Sequence, residues 1–225
     1  MDPKESAGRA AAARVEPGMT LGLGTGSTVR WLIEELATRH SQGLSFTVVP
    51  TSRQTAELAA EYNIPLTDIN TIEKLPLTID GADEIDPSGH LIKGGGGALL
   101  REKIVAAASD YLLIIADEKK LVPALGQFPL PIEVIPFGHR QVQDQLLWSG
   151  LFAQVVLRQA GERTFITDQG HYILDCKVQR PLSNPYQLEN QLRSITGIVE
   201  TGLFIEMADE ALIGYTDGRI EHIFF

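Results

Sequence analysis

A single cysteine, Cys176, stands among the 225 residues. One thiol excludes an internal disulfide and any zinc site built on cysteines. It lies in an alternating apolar stretch, where inert packing is the expectation. Basic residues are scarce too: 19 Lys and Arg face 29 Asp and Glu, for a net charge of −10. No run of Lys and Arg forms a stripe, so nucleic acid is not an expected partner. No apolar run reaches the length of a membrane span, and the N-terminus lacks a signal-peptide core. No membrane partner is expected, and the cytoplasm is the expected location. Repeats and low-complexity segments are also missing. What remains is an ordinary globular composition, 44% apolar and 21% charged, long enough for one large domain with a smaller one beside it.

Strand and helix patterns alternate through the first half. Helices are predicted over 4–15, 29–40, 52–62 and 98–109, and strands over 19–23, 46–49, 77–80 and 111–116. That alternation points to a Rossmann-like α/β domain, a mostly parallel sheet with helices on both faces. The texture changes near Gln127-Phe128-Pro129-Leu130-Pro131. Beyond it, strands are predicted over 132–135, 152–157, 164–167 and 172–178, with helices over 141–148 and 186–195. Asp168-Gln169-Gly170 signals a hairpin joining the strands at 164–167 and 172–178. The expected division is a catalytic domain over 1–128, a second, smaller α+β (ferredoxin-like) domain over 129–204, and C-terminal strands over 205–225 that return to the first domain.

Gly22-Leu23-Gly24-Thr25-Gly26-Ser27-Thr28 joins a strand to a helix. Glycines let the backbone approach an anion, and the helix start adds unpaired N–H groups with partial positive charge. Thr25, Ser27 and Thr28 bring hydroxyls to the same place. No lysine precedes Ser27, so the Walker A pattern fails. Ser27 stands where a dinucleotide fingerprint wants its third glycine, and the second strand ends without a carboxylate for the ribose. A phosphate fits; a dinucleotide fits poorly. Thr51-Ser52-Arg53-Gln54-Thr55, at the next strand end, either lines the same crevice or simply caps its helix.

The densest chemistry follows. Asp80-Gly81-Ala82-Asp83-Glu84-Ile85-Asp86 places four carboxylates in seven residues, and Lys93 then leads into Gly94, Gly95, Gly96 and Gly97. The acids lack the periodic spacing of a calcium loop, the only nearby histidine is His90, and Lys93 competes with any cation. No metal is expected. Arg101, Glu102 and Lys103 are the only charges on an otherwise apolar helix, and three consecutive residues fan across about 200° of it. The neighbours of Glu102 at i±3 and i±4 are Ala98, Leu99, Val105 and Ala106. A carboxylate on such a stripe is partly desolvated, which moves it toward the range of a general base.

Together these segments closely resemble ribose-5-phosphate isomerase, type A. Gly24-Thr25-Gly26-Ser27-Thr28 resembles its phosphate loop, Asp80-Gly81-Ala82-Asp83-Glu84 its acidic motif, and Lys93-Gly94-Gly95-Gly96 with Arg101-Glu102-Lys103 its catalytic segment. Ala116-Asp117 with Lys120 resembles its second lysine site. The resemblance runs from Lys4 to Ala211-Leu212-Ile213-Gly214. It departs at Gly97, where the family often has alanine, and in the last turns of the chain.

The resemblance implies interconversion of ribose 5-phosphate and ribulose 5-phosphate without metal or cofactor. It implies Glu102 as the base moving a proton between C1 and C2. Asp80 and Lys93 would serve ring opening and oxygen protonation, with Asp83 lining the site. Thr25, Gly26, Ser27, Thr28, Gly94, Gly95, Gly96, Lys120 and Lys4 would hold substrate or phosphate, in a homodimer or homotetramer. The chemistry asks for the same parts: a carboxylate base, a cation or N–H groups at the developing enediolate oxygen, a second acid/base, and a remote phosphate anchor. An amino-sugar-phosphate deaminase is the nearest alternative. A sugar-phosphate sensor would need a DNA-reading domain that is missing here. A CoA transferase would form a covalent carboxylate adduct.

Overall fold

The computed structural model describes residues 2–225. In chain order the elements are α1 (Pro3–Ala11), β1 (Met19–Leu23), α2 (Ser27–Ser41), β2 (Phe46–Pro50), α3 (Arg53–Glu61), β3 (Leu77–Asp80), β4 (Glu84–Ile85), β5 (Leu91–Ile92), α4 (Leu99–Ala107) and β6 (Leu112–Asp117). There follow β7 (Leu130–Val134), α5 (His139–Trp148), β8 (Phe152–Leu157), β9 (Gln159–Ala160), β10 (Arg163–Thr164), β11 (Tyr172–Val178), α6 (Pro185–Arg193), β12 (Ile198–Thr201), β13 (Leu203–Phe204), β14 (Glu210–Gly214) and β15 (Ile220–Phe224). The chain divides into two compact units. The first holds the chain up to Ala82, Arg101–Leu121 and Met207–Phe225; the second holds Asp83–Leu100 and Val122–Glu206.

A six-stranded sheet in the order β15-β14-β6-β3-β1-β2 carries the first unit. Every neighbouring pair is parallel except β14 with β15. The central strands β6 and β14 are buried at every residue. This is why they read as unbroken apolar runs rather than alternating ones. Ala7, Ala11, Val29, Leu32 and Leu36 of α1 and α2 pack with Leu21, Leu23 and Ile79 of the sheet. A separate cluster joins Val49 and Leu75 to Val105 of α4. Asp2 caps α1 through the N–H of Lys4, with Pro3 in the first turn, an arrangement that fixes where this helix begins.

The chain leaves β1 toward β2 on one side and later returns as β3 on the other. The strand order therefore reverses at β1, and the carboxyl ends of β1 and β3 flank the crevice where such sheets bind ligands. Gly24 and Asp80 sit at those two ends. A Cβ on Gly24 would fall 2.0 Å from Oδ1 of Asp80. Only glycine lets the first loop lie against that carboxylate.

β14 and β15 complete the first unit. Glu210, with no exposed surface, meets Arg14 Nη1 at 2.9 Å, Tyr111 Oη at 2.9 Å and His222 Nδ1 at 2.8 Å. Burial pushes this carboxyl up, but the hydrogen bonds from His222 and Tyr111 and the Arg14 charge outweigh it and leave Glu210 below its ordinary 4.5. A lowered folded-state value means stability that is complete above about pH 4.5 and is lost as pH falls through the folded value. Glu210→Gln is expected to be less stable than the parent at pH 7, with the gap narrowing below pH 4.5. Urea midpoints across pH 3–7 measure this.

The second unit is α+β. Its antiparallel sheet runs β12-β7-β11-β8, and a smaller one runs β13-β5-β4. Val142 and Leu146 of α5 and Leu188 and Leu192 of α6 join Leu130, Ile132, Leu174 and Cys176 in its core. Cys176 is wholly buried, and burial drives its thiol well above the ordinary range, in keeping with packing rather than reactivity.

One sequence expectation fails here. Asp168-Gln169-Gly170 does not join two laddered strands. β10, at Arg163–Thr164, pairs instead with β9, while β11 pairs with β7 and β8. A turn does close locally, with Gly170 N donating to Thr167 O at 2.9 Å. Both edges of β11 are already occupied, and Thr167 turns inward to hydrogen-bond Glu133 at 2.9 Å. Tertiary demands outweighed the local hairpin signal.

Candidate active site

Gly26 N-caps α2, and no side chain closes that helix end. Its first-turn N–H groups keep the partial positive charge that favours an anion. Ser27 Oγ, the first residue of α2, accepts a hydrogen bond from Lys4 Nζ at 3.0 Å. The expected contact residues Lys4, Gly26, Ser27 and Thr28 therefore collect at one helix start.

Asp80 fixes that loop from below. Its buried carboxylate accepts the backbone N–H of Thr25 at 3.0 Å and of Gly81 at 2.7 Å, both on Oδ1. Thr25 ties two loops together. Its hydroxyl contacts those of Thr51, Ser52 and Thr55 at 2.9, 2.8 and 3.1 Å, and Thr55 Oγ1 donates to Gly24 O at 2.7 Å. The hydroxyl-rich loop after β2 thus braces the glycine loop through its side chains. Ser52 also caps α3, as the capping reading of that loop expects.

Lys120 ends a short turn three residues beyond β6, at the same sheet edge as Gly24 and Asp80. Glu102 lies in the first turn of α4 and is 5% exposed. Ala98, Leu99, Val105 and Ala106 around it are all buried. The apolar stripe that singled it out in the sequence is present in the fold.

In the second unit, Asp83 Oδ2 accepts Gly95 N at 2.7 Å, and Asp83 N donates to Ile92 O at 2.8 Å. The acid therefore anchors the second glycine loop. Lys93 is 2% exposed, with Nζ 5.4 Å from the ring centroid of Phe204. An ammonium over an aromatic face keeps part of the stabilisation it loses on leaving water. Gly97 donates to Gly94 O at 2.9 Å and has φ +83°, and a Cβ there would meet the Phe165 ring at 2.3 Å. Glycine is the residue this turn accepts without strain.

The remaining acids of the cluster do structural work. Glu84, 2% exposed, accepts the N–H of Gly126 at 2.6 Å and that of Phe128. Asp86 closes the turn to His90 through Ser88 N, His90 N and His90 Nδ1. Glu84→Ala orphans two N–H groups, so a loss of about 3 kcal/mol is expected; denaturant unfolding checks it.

Sequence reasoning missed Arg158, which contacts Gly94 O at 2.8 Å and Gly95 O at 3.2 Å. A lone arginine 64 residues from the loop carries no local signal. Phe165 and Phe204 were missed for the same reason.

The family model of ribose 5-phosphate isomerase A (phosphoriboisomerase A) matches residues 47–218, which contain Asp80, Asp83, Lys93 and Glu102. The chain belongs to the ribose 5-phosphate isomerase A family. Ribose-5-phosphate isomerase A of Bacillus cereus is 56% identical over 218 residues, 97% of this chain and 98% of that one. A D-ribose-5-phosphate isomerase solved in complex with phospho-erythronic acid superposes with a TM-score of 0.94 at 35% identity, covering all of both chains. Ribose 5-phosphate isomerase A from Methanocaldococcus jannaschii gives 0.91 at 36% identity, over 99% of this chain and 98% of that one. The isomerase family therefore accounts for both units and for the Gly24–Thr28 loop outside the matched range.

Proposed function

We propose that the chain interconverts D-ribose 5-phosphate and D-ribulose 5-phosphate as an aldose–ketose isomerase of the pentose phosphate pathway, without metal or cofactor. The observation that carries the reading is Glu102: a buried carboxylate in the first turn of a helix, directly after a glycine loop tied down by Asp83. Family membership supplies the substrate.

Asp80 and Lys93 assist opening of the sugar ring, with Asp83 lining the site and holding Gly95. Glu102 then removes the proton from C2. The C–H electron pair becomes the C1–C2 double bond, and the carbonyl pair moves to O1, which takes a proton. Lys93 and the N–H groups of the Gly94, Gly95 and Gly96 loop stabilise the negative charge as it develops. The hydroxyl at C2 then gives up its proton, C2=O2 forms, and Glu102 returns its proton to C1. The helix start at Gly26, Ser27 and Thr28, with Thr25 shaping the loop and Lys4 and Lys120 adding charge, holds the phosphate away from the reacting carbons. Phospho-erythronic acid, bound by a related isomerase, carries a carboxylate where an enediolate would place two oxygens.

The same reading makes the enzyme a cytoplasmic homodimer or homotetramer, and the exposed Phe224 beside Phe225 at the C-terminus is in keeping with a partner. Light scattering gives the subunit number. The direct assay is ribulose 5-phosphate formation from ribose 5-phosphate with a chelator present. Turnover is expected. No turnover under any condition rejects the function, and turnover abolished only by the chelator rejects the metal-free mechanism.

A further inference from the structure

The stretch that joins Lys93 to α4 contains four consecutive glycines. Glycine loses more conformational freedom on folding than any other residue, so such a stretch needs external restraint. One ionic group of the second unit reaches its backbone. Arg158 follows β8 and is held by Asp175, with Nε to Oδ2 at 2.9 Å and Nη2 to Oδ1 at 2.5 Å. Its Nη1 donates to the carbonyls of Gly94 and Gly95. The guanidinium lies 5.7 Å from the Phe165 ring centroid, the ring that closes on Gly97. The fork is thus divided between one carboxylate and two loop carbonyls, a geometry that lysine cannot reproduce.

We propose that Arg158 is a positioning residue of the isomerase reaction: it holds the carbonyl side of the glycine loop that leads into the helix bearing the base. The proposal rests on the reading of Glu102 as that base. With its carbonyls held by Arg158, the loop keeps one orientation of its N–H groups.

The test is steady-state kinetics on Arg158→Gln, together with thermal midpoints and amide hydrogen exchange over residues 94–97. Arg158→Gln is expected to lose about 10²-fold in kcat, the cost of a misplacement near 1 Å, while KM stays within about threefold. Exchange over 94–97 should rise. If Arg158→Gln does not fold, Asp175→Asn frees the same guanidinium and reads the same loss. Faster exchange with kcat within about threefold of the parent overturns the proposal, as does a loss that merely tracks the unfolded fraction. These failures are distinct from that of the base assignment, which an active Glu102→Gln enzyme would sink by itself.

Discussion

Glu102→Gln is expected to lower kcat by about 10³- to 10⁴-fold, with KM for ribose 5-phosphate within about threefold of the parent. The substitution keeps shape and volume and removes only the ability to take a proton. The side chain is buried, as are Val105 and Ala106 on the same helix, so an isosteric amide adds no volume to the interior. Phosphate affinity, which the reading assigns to the start of α2, is expected to stay. A loss confined to kcat is the signature of an interaction made in the transition state alone. Turnover near the parental rate would remove Glu102 from the reaction.

Lys93→Met is expected to cost about 10²- to 10³-fold in kcat, the range seen when one donor to a developing oxyanion is lost. Methionine keeps an apolar stem against Phe204, so the cation is the principal loss. Because Lys93 is buried, its charge acts in surroundings of low polarisability, where the same ammonium does more than in water. The rate loss should persist at high salt, since a buried charge is little screened. An unchanged kcat, or a defect visible only in KM, would move the lysine from the reacting oxygens to substrate binding.

Much of this architecture was legible in the residues. Alternating strand and helix patterns marked the parallel sheet because its central strands are buried on both faces and read as continuous apolar runs. Glu102 stood out because its helical neighbours are apolar, and the fold buries that stripe. The two glycine loops were legible because close backbone approach leaves few other choices, as Gly24 against Asp80 shows. What stayed hidden depends on distant partners. The inward turn of Thr167 toward Glu133 overruled a sound local hairpin signal. Arg158 sits just past a strand end, and its meaning appears only when β8 brings it to Gly94 and Gly95. The engagement of the Thr25 hydroxyl with Thr51, Ser52 and Thr55 likewise depends on a loop some 26 residues away. The four acids between Asp80 and Asp86 also separate only in three dimensions: Asp80 and Asp83 hold the two glycine loops, while Glu84 and Asp86 close turns of their own.

The central claim is proton transfer through an enediolate with Glu102 as the base, and nuclear magnetic resonance of the reaction in deuterium oxide tests it most directly. The parent enzyme is expected to place solvent deuterium at C1 of ribulose 5-phosphate and at C2 of the recovered ribose 5-phosphate, and Glu102→Gln to place none while still binding the sugar phosphate. Parental turnover with no solvent deuterium in either sugar, or full incorporation by Glu102→Gln, would contradict the account.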